Sequence, residues 1–252
     1  MGIEAETRHS PSLDAAEFRH FEGLAKEWWD ERGKFGGLHA LNPARLAFIV
    51  AEVRSWRNQQ NQSFRPLDGL SVLDIGCGGG ILSEPLARLG GSVTGIDPVE
   101  ESIGVATLHA KNQGLNIDYR AATAEALESE GGAFDMVVAS EVIEHVADVS
   151  SFLKTCRALC KPRGLLIIST LNRTTKSYAL AIVAAEHILG LAPKGTHDWK
   201  KFIKPEEAQA QLKEAGFEIG RLSGMVFKPL MGVWSLSDSD LSINYILSAE
   251  AA

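Results

Sequence analysis

The sequence has few cysteines and no cysteine pattern typical of a disulfide-bonded domain. Its 252 residues include only Cys77, Cys156 and Cys160, and no two of them form a C-x-x-C pair. An odd number of cysteines favours a reducing compartment over a disulfide framework. Cys156 and Cys160 are four positions apart, and we expect them to be small buried thiols on one helix face rather than metal ligands.

Long apolar runs and an excess of basic residues are also absent. No stretch reaches the ~20 apolar residues that a membrane-spanning helix needs. Residues 1–10 contain Glu4 and Glu6 and no apolar run, so we expect no secretion signal. The 25 basic residues are outnumbered by 32 acidic ones, which argues against nucleic-acid binding, because that function favours a basic face.

Strand-like and helix-like patterns alternate along the chain, and 45% of the residues are hydrophobic. This order predicts one α/β domain over residues 1–252, with a doubly wound, mostly parallel sheet. We expect helices within residues 15–60, the first of them either packed on the core or covering a substrate. The second is predicted to begin at Asn42-Pro43, which places Arg45 in its first turn, where a cation is unfavourable. That position suggests that Arg45 meets a carboxylate.

A glycine-rich turn is predicted to follow the first strand. Ser71–Ile75 is β-prone, and the run Gly76-Cys77-Gly78-Gly79-Gly80 leads into a helical pattern. The spacing matches the G-x-G-x-G loop that class I S-adenosylmethionine (SAM) methyltransferases use for the nucleoside. A G-x-G-x-x-G nicotinamide loop would need glycine in place of Ile81. The alternative is a tight strand-to-helix connection without a ligand.

Acidic residues follow two other predicted strands. Asp97 lies 21 positions after Gly76, a separation that suits hydrogen bonding to ribose hydroxyls. After the fourth strand comes the run Ser140-Glu141-Val142-Ile143-Glu144-His145. If this run is helical, Glu141, Glu144 and His145 share one face, where they can bind a divalent cation. In the alternative, the acids cap backbone amides and the histidine packs in the core.

The segment Tyr178–Leu191 is apolar except for Glu186 and His187. As a helix it would be about 21 Å long, too short to cross a bilayer. Between residues 161 and 204 the charged residues are eight basic and two acidic, in an otherwise acidic chain. These features fit a helix on an anionic membrane surface, a cover for an apolar substrate, or a buried helix. We treat residues 171–204 as a lid or membrane-contact insertion.

Several motifs together resemble the ubiquinone-biosynthesis O-methyltransferase family. They are FEGLAKEWWD, LHALNPARL, LDIGCGGGILSEPLARLG, SEVIEHV, STLNRTTKS, PKGTHDWKKFIKP and INYIL. The resemblance covers nearly the whole chain from about Phe18. It implies SAM-dependent methylation of a phenolic oxygen on a polyprenylated catechol and on demethylubiquinol.

The resemblance also implies roles for individual residues. The family's cofactor positions fall on Arg45, Gly76, Asp97 and Ser140, and its divalent-cation positions fall on Glu141, Glu144 and His145. Mg²⁺ or Zn²⁺ held there would lower the acceptor's pKa, which for a phenol is ~10. In an alternative to the metal, His145 acts as the general base. The predicted catalytic residues are His145 and Glu141.

The resemblance further implies a location and partners. We expect a cytoplasmic enzyme, peripheral on the inner membrane face through Tyr178 to Leu191, or on the mitochondrial matrix side in a eukaryote. A quinone-biosynthesis complex is a further expected partner, and nucleic acid is not. Two other functions stay open, namely a SAM methyltransferase acting without metal on another lipid or phenol, and a non-catalytic scaffold of a quinone-synthesis complex.

Overall fold

The computed structural model describes residues 26–58, 63–179 and 199–252. Most of the predicted helix at residues 15–29 and most of the segment Tyr178–Leu191 lie outside these ranges. The helices described are α1 Gly36–Trp56, α2 Ser83–Arg88, α3 Glu100–Asn112, α4 Ala124–Ser129, α5 Val149–Leu159, α6 Thr175–Ser177 and α7 Pro205–Glu214. The strands are β1 Ser71–Ile75, β2 Ser92–Asp97, β3 Asp118–Ala121, β4 Phe134–Ser140, β5 Cys160–Leu171, β6 Phe217–Lys228, β7 Val233–Ser237 and β8 Asn244–Ala251.

The strands form one mostly parallel sheet with the order β3-β2-β1-β4-β5-β8-β6-β7. Strands β1 to β5 pair in parallel, and β8 joins β5 in the antiparallel direction. The predicted doubly wound α/β fold is confirmed. The strand order reverses beside β1, and ligands in such sheets bind at the carboxyl edge near that point.

Hydrophobic side chains cover both faces of this sheet. Alternate residues of β4 point to opposite faces, so Val137 and Ala139 join one buried cluster with α5 and α7, whereas Met136 and Val138 join another with α1. Burial on both sides explains why β4 is a continuous apolar run in the sequence. Cys156 and Cys160 are buried free thiols in the first cluster, as predicted, but they do not share a helix face, because α5 ends at Leu159 and Cys160 begins β5.

Three local predictions were wrong. Helix α1 begins at Gly36, so Asn42 and Pro43 lie inside it and Arg45 is not in its first turn. Asn42 does not cap the helix, because its side-chain amide donates to the carbonyl of Ile81 instead. Residues 121–129, whose short polar-apolar pattern predicts a connector, contain helix α4, capped by the Thr123 hydroxyl, which accepts from the amide of Ala126. Strand β7 was not predicted.

No helix in the described part of the chain is both long enough and apolar enough to cross a membrane.

Candidate active site

The turn after β1 has a backbone that requires glycine. Gly76 has a φ of +69°, and a Cβ at this position would lie 2.6 Å from Cγ2 of Val142. The amides of Gly76 and Cys77 both donate to the carbonyl of Ile96 on β2. The turn is therefore fixed between the ends of two parallel strands, and a side chain at Gly76 would collide with the loop after β4.

A cavity of about 330 Å³ opens at this carboxyl edge. The sequence-predicted cofactor residues Arg45, Gly76, Asp97 and Ser140 all line it. Glu141, predicted as a catalytic and metal-binding residue, lines it too. The fold thus brings residues from α1, β1, β2 and β4 together around one space.

Asp97, at the end of β2, supports the glycine turn from the side. One carboxylate oxygen accepts from the amide of Gly78 at 3.1 Å, and the other accepts from the amide of Val99 at 2.9 Å. A carboxylate oxygen can accept more than one hydrogen bond. Asp97 can therefore hold the turn and still accept hydrogen bonds from hydroxyl groups of a ligand.

Asp74 on β1 is a buried acid beneath the cavity. It accepts a 2.6 Å hydrogen bond from the hydroxyl of Ser83, the first residue of α2. Burial raises its pKa to about 7, although the Ser83 hydrogen bond and the Arg45 charge act in the opposite direction. The acidic residue before the glycine turn therefore links β1 to α2 inside the protein.

Arg45 and Glu141 form a buried ion pair across the cavity. The guanidinium Nη2 lies 3.2 Å from Oε1 of Glu141, and the Glu141 side chain is 20% exposed. The same oxygen accepts from the hydroxyl of Ser169 at 2.8 Å. Glu141 has a φ of +55°, a costly conformation for a residue with a side chain. This strained residue directly follows β4, and its side chain lines the cavity.

The predicted metal triad does not form a ligand set in the structure. Residues 141–148 form turns rather than a helix, so the reason given for placing Glu141, Glu144 and His145 on one face was wrong. Glu144 is 3% exposed and accepts from the hydroxyl of Thr170, whereas His145 is exposed. Among the described residues, no group of three histidine, cysteine or acidic side chains is arranged to hold a metal ion.

Glu144 and Glu141 nevertheless influence each other. Burial raises the pKa of Glu144 well above its ordinary value, and the charge of Glu141 raises it further. Glu144 therefore holds its proton more tightly than an exposed glutamate does.

The residues around the cavity fit SAM. Arg45 Nε and Asn42 Oδ1 are buried atoms without a hydrogen-bond partner, one a donor and the other an acceptor, as the methionine carboxylate and ammonium of SAM require. The carboxylate of Asp97 and the backbone at Gly76 and Gly78, which has no side chain, line the same cavity. Asn42 was missed as a site residue because its pairing with Pro43 suggested a helix start.

Comparison with known proteins identifies the family. A methyltransferase-domain model matches residues 45–222. The ubiquinone biosynthesis O-methyltransferase of Dinoroseobacter shibae is 50% identical, over 96% of this chain and 98% of that protein. The chain belongs to the ubiquinone biosynthesis O-methyltransferase family. The Azorhizobium caulinodans protein of the same name is 49% identical over 96% of this chain and 95% of its own length.

Solved structures agree with this family in fold. The magnesium protoporphyrin IX methyltransferase of Synechocystis, solved with bound S-adenosylhomocysteine (SAH), has a TM-score of 0.62 at 23% identity and covers 95% of this chain and 96% of its own. A possible histamine N-methyltransferase of Thermotoga maritima has a TM-score of 0.57 at 19% identity, covering 93% and 98%. Members of this fold methylate different acceptors. The present family member is a SAM-dependent methyltransferase with a Rossmann-like fold.

Four further residues of the site were not singled out from the sequence. Three of them donate a hydroxyl hydrogen bond to an acid of the site, namely Ser83 to Asp74, Ser169 to Glu141 and Thr170 to Glu144. The fourth, Trp28, precedes α1 and lines the cavity. Ser169 and Thr170 end the β-prone run at residues 165–170, and their position at the carboxyl end of a strand was a usable signal. Trp28 lies in the quoted FEGLAKEWWD motif, but nothing in its local pattern points to the glycine turn.

Proposed function

We propose that this enzyme transfers the methyl group of SAM to a phenolic hydroxyl of polyprenylated catechol and demethylubiquinol in ubiquinone biosynthesis. The observation that carries the proposal is the convergence of Arg45, Gly76, Asp97 and Ser140 on one cavity, with Glu141 beside them. The names of relatives at about half identity support this choice of acceptor.

The residues have separate roles in this proposal. Arg45 binds the methionine carboxylate, the Gly76 turn contacts the nucleoside, Asp97 accepts from the ribose hydroxyls and Ser140 contributes its backbone. Bound SAM supplies an electrophilic methyl group on its sulfonium. The cavity orients the acceptor oxygen in line with that group.

The acceptor must lose its proton, because a phenol with a pKa of ~10 is mostly protonated at neutral pH. We assign Glu141 and His145 to this end of the site. Glu141 orients the acceptor hydroxyl, and His145, as a neutral imidazole, accepts its proton while the new oxygen–methyl bond forms. The products are the methyl ether, the protonated base and SAH.

A divalent cation, Mg²⁺ or Zn²⁺, is the second part of the proposal, with Glu141, Glu144 and His145 as its ligands. The residue types support it, but the geometry described above does not assemble them. To coordinate the cation, Glu141 would have to give up its contacts with Arg45 and Ser169. Glu144 would have to give up its hydrogen bond with Thr170. If His145 coordinates a cation, it is not also the base.

We also propose contact with an anionic membrane surface on the inner membrane face, through Tyr178 to Leu191, because a polyprenyl tail partitions into lipid. In the described part of this segment, Tyr178 is 45% exposed. The hairpin tip between β6 and β7 adds an exposed apolar surface, including fully exposed Leu230 and Met231 at 71% exposure. Gly224 of β6 and Thr170 of β5 both pair with Tyr245 of β8, so these two residues lie at the same level of the sheet. Because β6 continues to Lys228, the hairpin tip extends beyond the carboxyl edge where the cavity opens.

The decisive assay measures methyl transfer from labelled SAM to a short-chain prenyl catechol before EDTA, after EDTA and after Mg²⁺ is restored. Loss and recovery of turnover would support the acceptor class and the cation together. Turnover that is indifferent to EDTA would support the acceptor and reject the cation. Absence of turnover on any catechol would reject the proposed acceptor in favour of another lipid or phenol, and absence on every acceptor would favour the scaffold.

Glu141→Gln and His145→Ala test the two assigned roles. We expect both variants to lower kcat by at least tenfold, Glu141→Gln because the acceptor hydroxyl is less well oriented and His145→Ala because the general base is removed. SAM affinity should change little in His145→Ala, because the proposed role concerns only the acceptor. Full activity of His145→Ala, with and without added Mg²⁺, would remove that residue from the site.

A further inference from the structure

The indole of Trp28 covers the outer side of the glycine turn. A Cβ at Gly78 would lie 2.5 Å from this ring, and one at Gly79 would lie 2.7 Å from it. The ring also lines the cavity that contains Arg45 and Asp97. Trp28 precedes residues 45–222, the part matched by the general methyltransferase model. It is therefore an addition to the common cofactor site.

Local contacts hold Trp28 in this position. Its ring stacks on Phe35, with the centroids 3.8 Å apart and the planes inclined by 6°. Its carbonyl oxygen lies 2.9 Å from Nε2 of His39, the ring nitrogen that donates to it. Gly33 donates its amide to the carbonyl of Asp30, which closes the turn between the two stacked rings. We call residues 28–35 the aromatic strap.

The neighbouring Trp29 fastens the strap to the domain. Its indole Nε1 donates to the carbonyl of Gly79 at 3.1 Å. Its ring stacks on the imidazole of His109 at 3.6 Å, and that imidazole lies 2.6 Å from the buried carboxylate of Glu84. The strap therefore contacts the glycine turn through both tryptophans, and helix α3 through one of them.

We propose that Trp28 is a cofactor-binding residue and that the aromatic strap closes over bound SAM, so that SAM and SAH exchange requires the strap to open. An indole at the mouth of the cavity supplies an apolar wall, and it excludes water from a site where polar contacts must be strong. A ring held by stacking and by single hydrogen bonds can be displaced without unfolding the sheet. The proposal depends on SAM binding and not on the identity of the acceptor.

The test compares Trp28→Ala and Trp28→Phe with Trp56→Phe. Trp56 donates its indole N–H to the carbonyl of Arg163, away from the cavity, and each variant removes one of five tryptophans. SAH affinity is measured by calorimetry and SAH dissociation by stopped-flow fluorescence. We expect Trp28→Ala to weaken binding about tenfold, mainly through faster dissociation. The SAH affinity of Trp28→Phe should stay within about threefold of the wild-type value. The SAH affinity of Trp56→Phe should equal the wild-type value.

Unchanged or tighter SAH binding in Trp28→Ala would overturn the proposal, because the ring would then be a packing residue or would occupy the cofactor's space. Hydrogen exchange in the wild-type protein gives a second test that needs no substitution. SAH should slow exchange at the strap amides more than at β7, which lies at the far edge of the sheet. Equal exchange at the strap with and without SAH would also overturn it. Both measurements use SAH alone, so they stand even if the proposed acceptor is wrong.

Discussion

At the scale of single residues, Arg45 and Asp74 show how the site holds charge inside the protein. Arg45 is 3% exposed and Asp74 is 2% exposed. Each has a specific partner, Glu141 for the guanidinium and the Ser83 hydroxyl for the carboxyl group. Buried charges are costly without such partners. Both residues should therefore respond strongly to conservative substitutions.

Arg45→Lys should weaken SAM binding about tenfold while the domain stays folded, because lysine keeps the charge but loses the planar fork of donors. Calorimetric titration with SAM measures the effect. Arg65→Lys is the matched control, since the Arg65 side chain is 64% exposed. Wild-type affinity in Arg45→Lys would contradict contact with the methionine carboxylate.

Asp74 should make stability depend on pH. Because its folded-state pKa is raised from 3.8 to about 7, the folded protein binds the proton more tightly than the unfolded chain. This contribution is fully present below about pH 4 and is lost as the pH rises through about 7. Between about pH 5 and about pH 8, the unfolding free energy of the wild type should fall by about 2 to 3 kcal/mol relative to that of Asp74→Asn. Urea unfolding of both proteins at the two pH values measures this, and parallel curves would contradict it.

At the scale of elements, the turn between β1 and α2 is defined by what surrounds it. Gly76, Gly78 and Gly80 adopt positive φ, and Val142 and Trp28 approach the turn where side chains would otherwise stand. A strained loop after β4 and the aromatic strap thus enclose the turn from two sides. Neither neighbour is adjacent to the turn in sequence.

Gly76→Ala and Gly114→Ala separate backbone strain from crowding. Both glycines have positive φ, +69° and +67°, but a Cβ at Gly114 meets nothing within 4 Å. We expect Gly114→Ala to cost about 1 to 2 kcal/mol of unfolding free energy. Gly76→Ala should cost more and should also reduce SAM affinity, because Val142 must move. If the two variants have equal unfolding free energies and Gly76→Ala keeps the wild-type SAM affinity, the Val142 side chain moves aside without a measurable cost.

At the scale of the whole molecule, the carboxyl edge of the sheet brings the cavity and an exposed apolar hairpin tip together. The cavity lies at this edge, and the apolar hairpin tip extends beyond it by about four residues, or about 13 Å. From Gly224 to Ser237 the hairpin contains Lys228 and no acidic residue. Together with Tyr178–Leu191, this gives two candidate membrane contacts on one enzyme.

Flotation with anionic liposomes can assign the contact. We expect Ile182→Glu with Leu189→Glu to abolish binding, and Leu230→Glu with Met231→Glu to weaken it, while activity on a short-chain catechol is retained. Burying charge at a lipid interface opposes insertion of an apolar surface. Phe64→Glu is the control, because Phe64 is 97% exposed but lies before β1, at the opposite edge of the sheet. Unchanged flotation in both double variants would contradict the membrane proposal.

The sequence by itself determined the fold class, because the central residues of β4 and β5, 136–139 and 165–168, are apolar runs that require helices on both faces. It also determined the glycine turn, since glycine tolerates positive φ and its positions are read directly from the sequence. Only the tertiary structure decided the start of α1, where a contact between Asn42 and Ile81 replaced the expected cap. It likewise decided the arrangement of Glu141, Glu144 and His145, because Arg45, Ser169 and Thr170 come from distant positions. Long-range contacts of this kind leave no local periodicity, and Trp28 on the glycine turn is a further example.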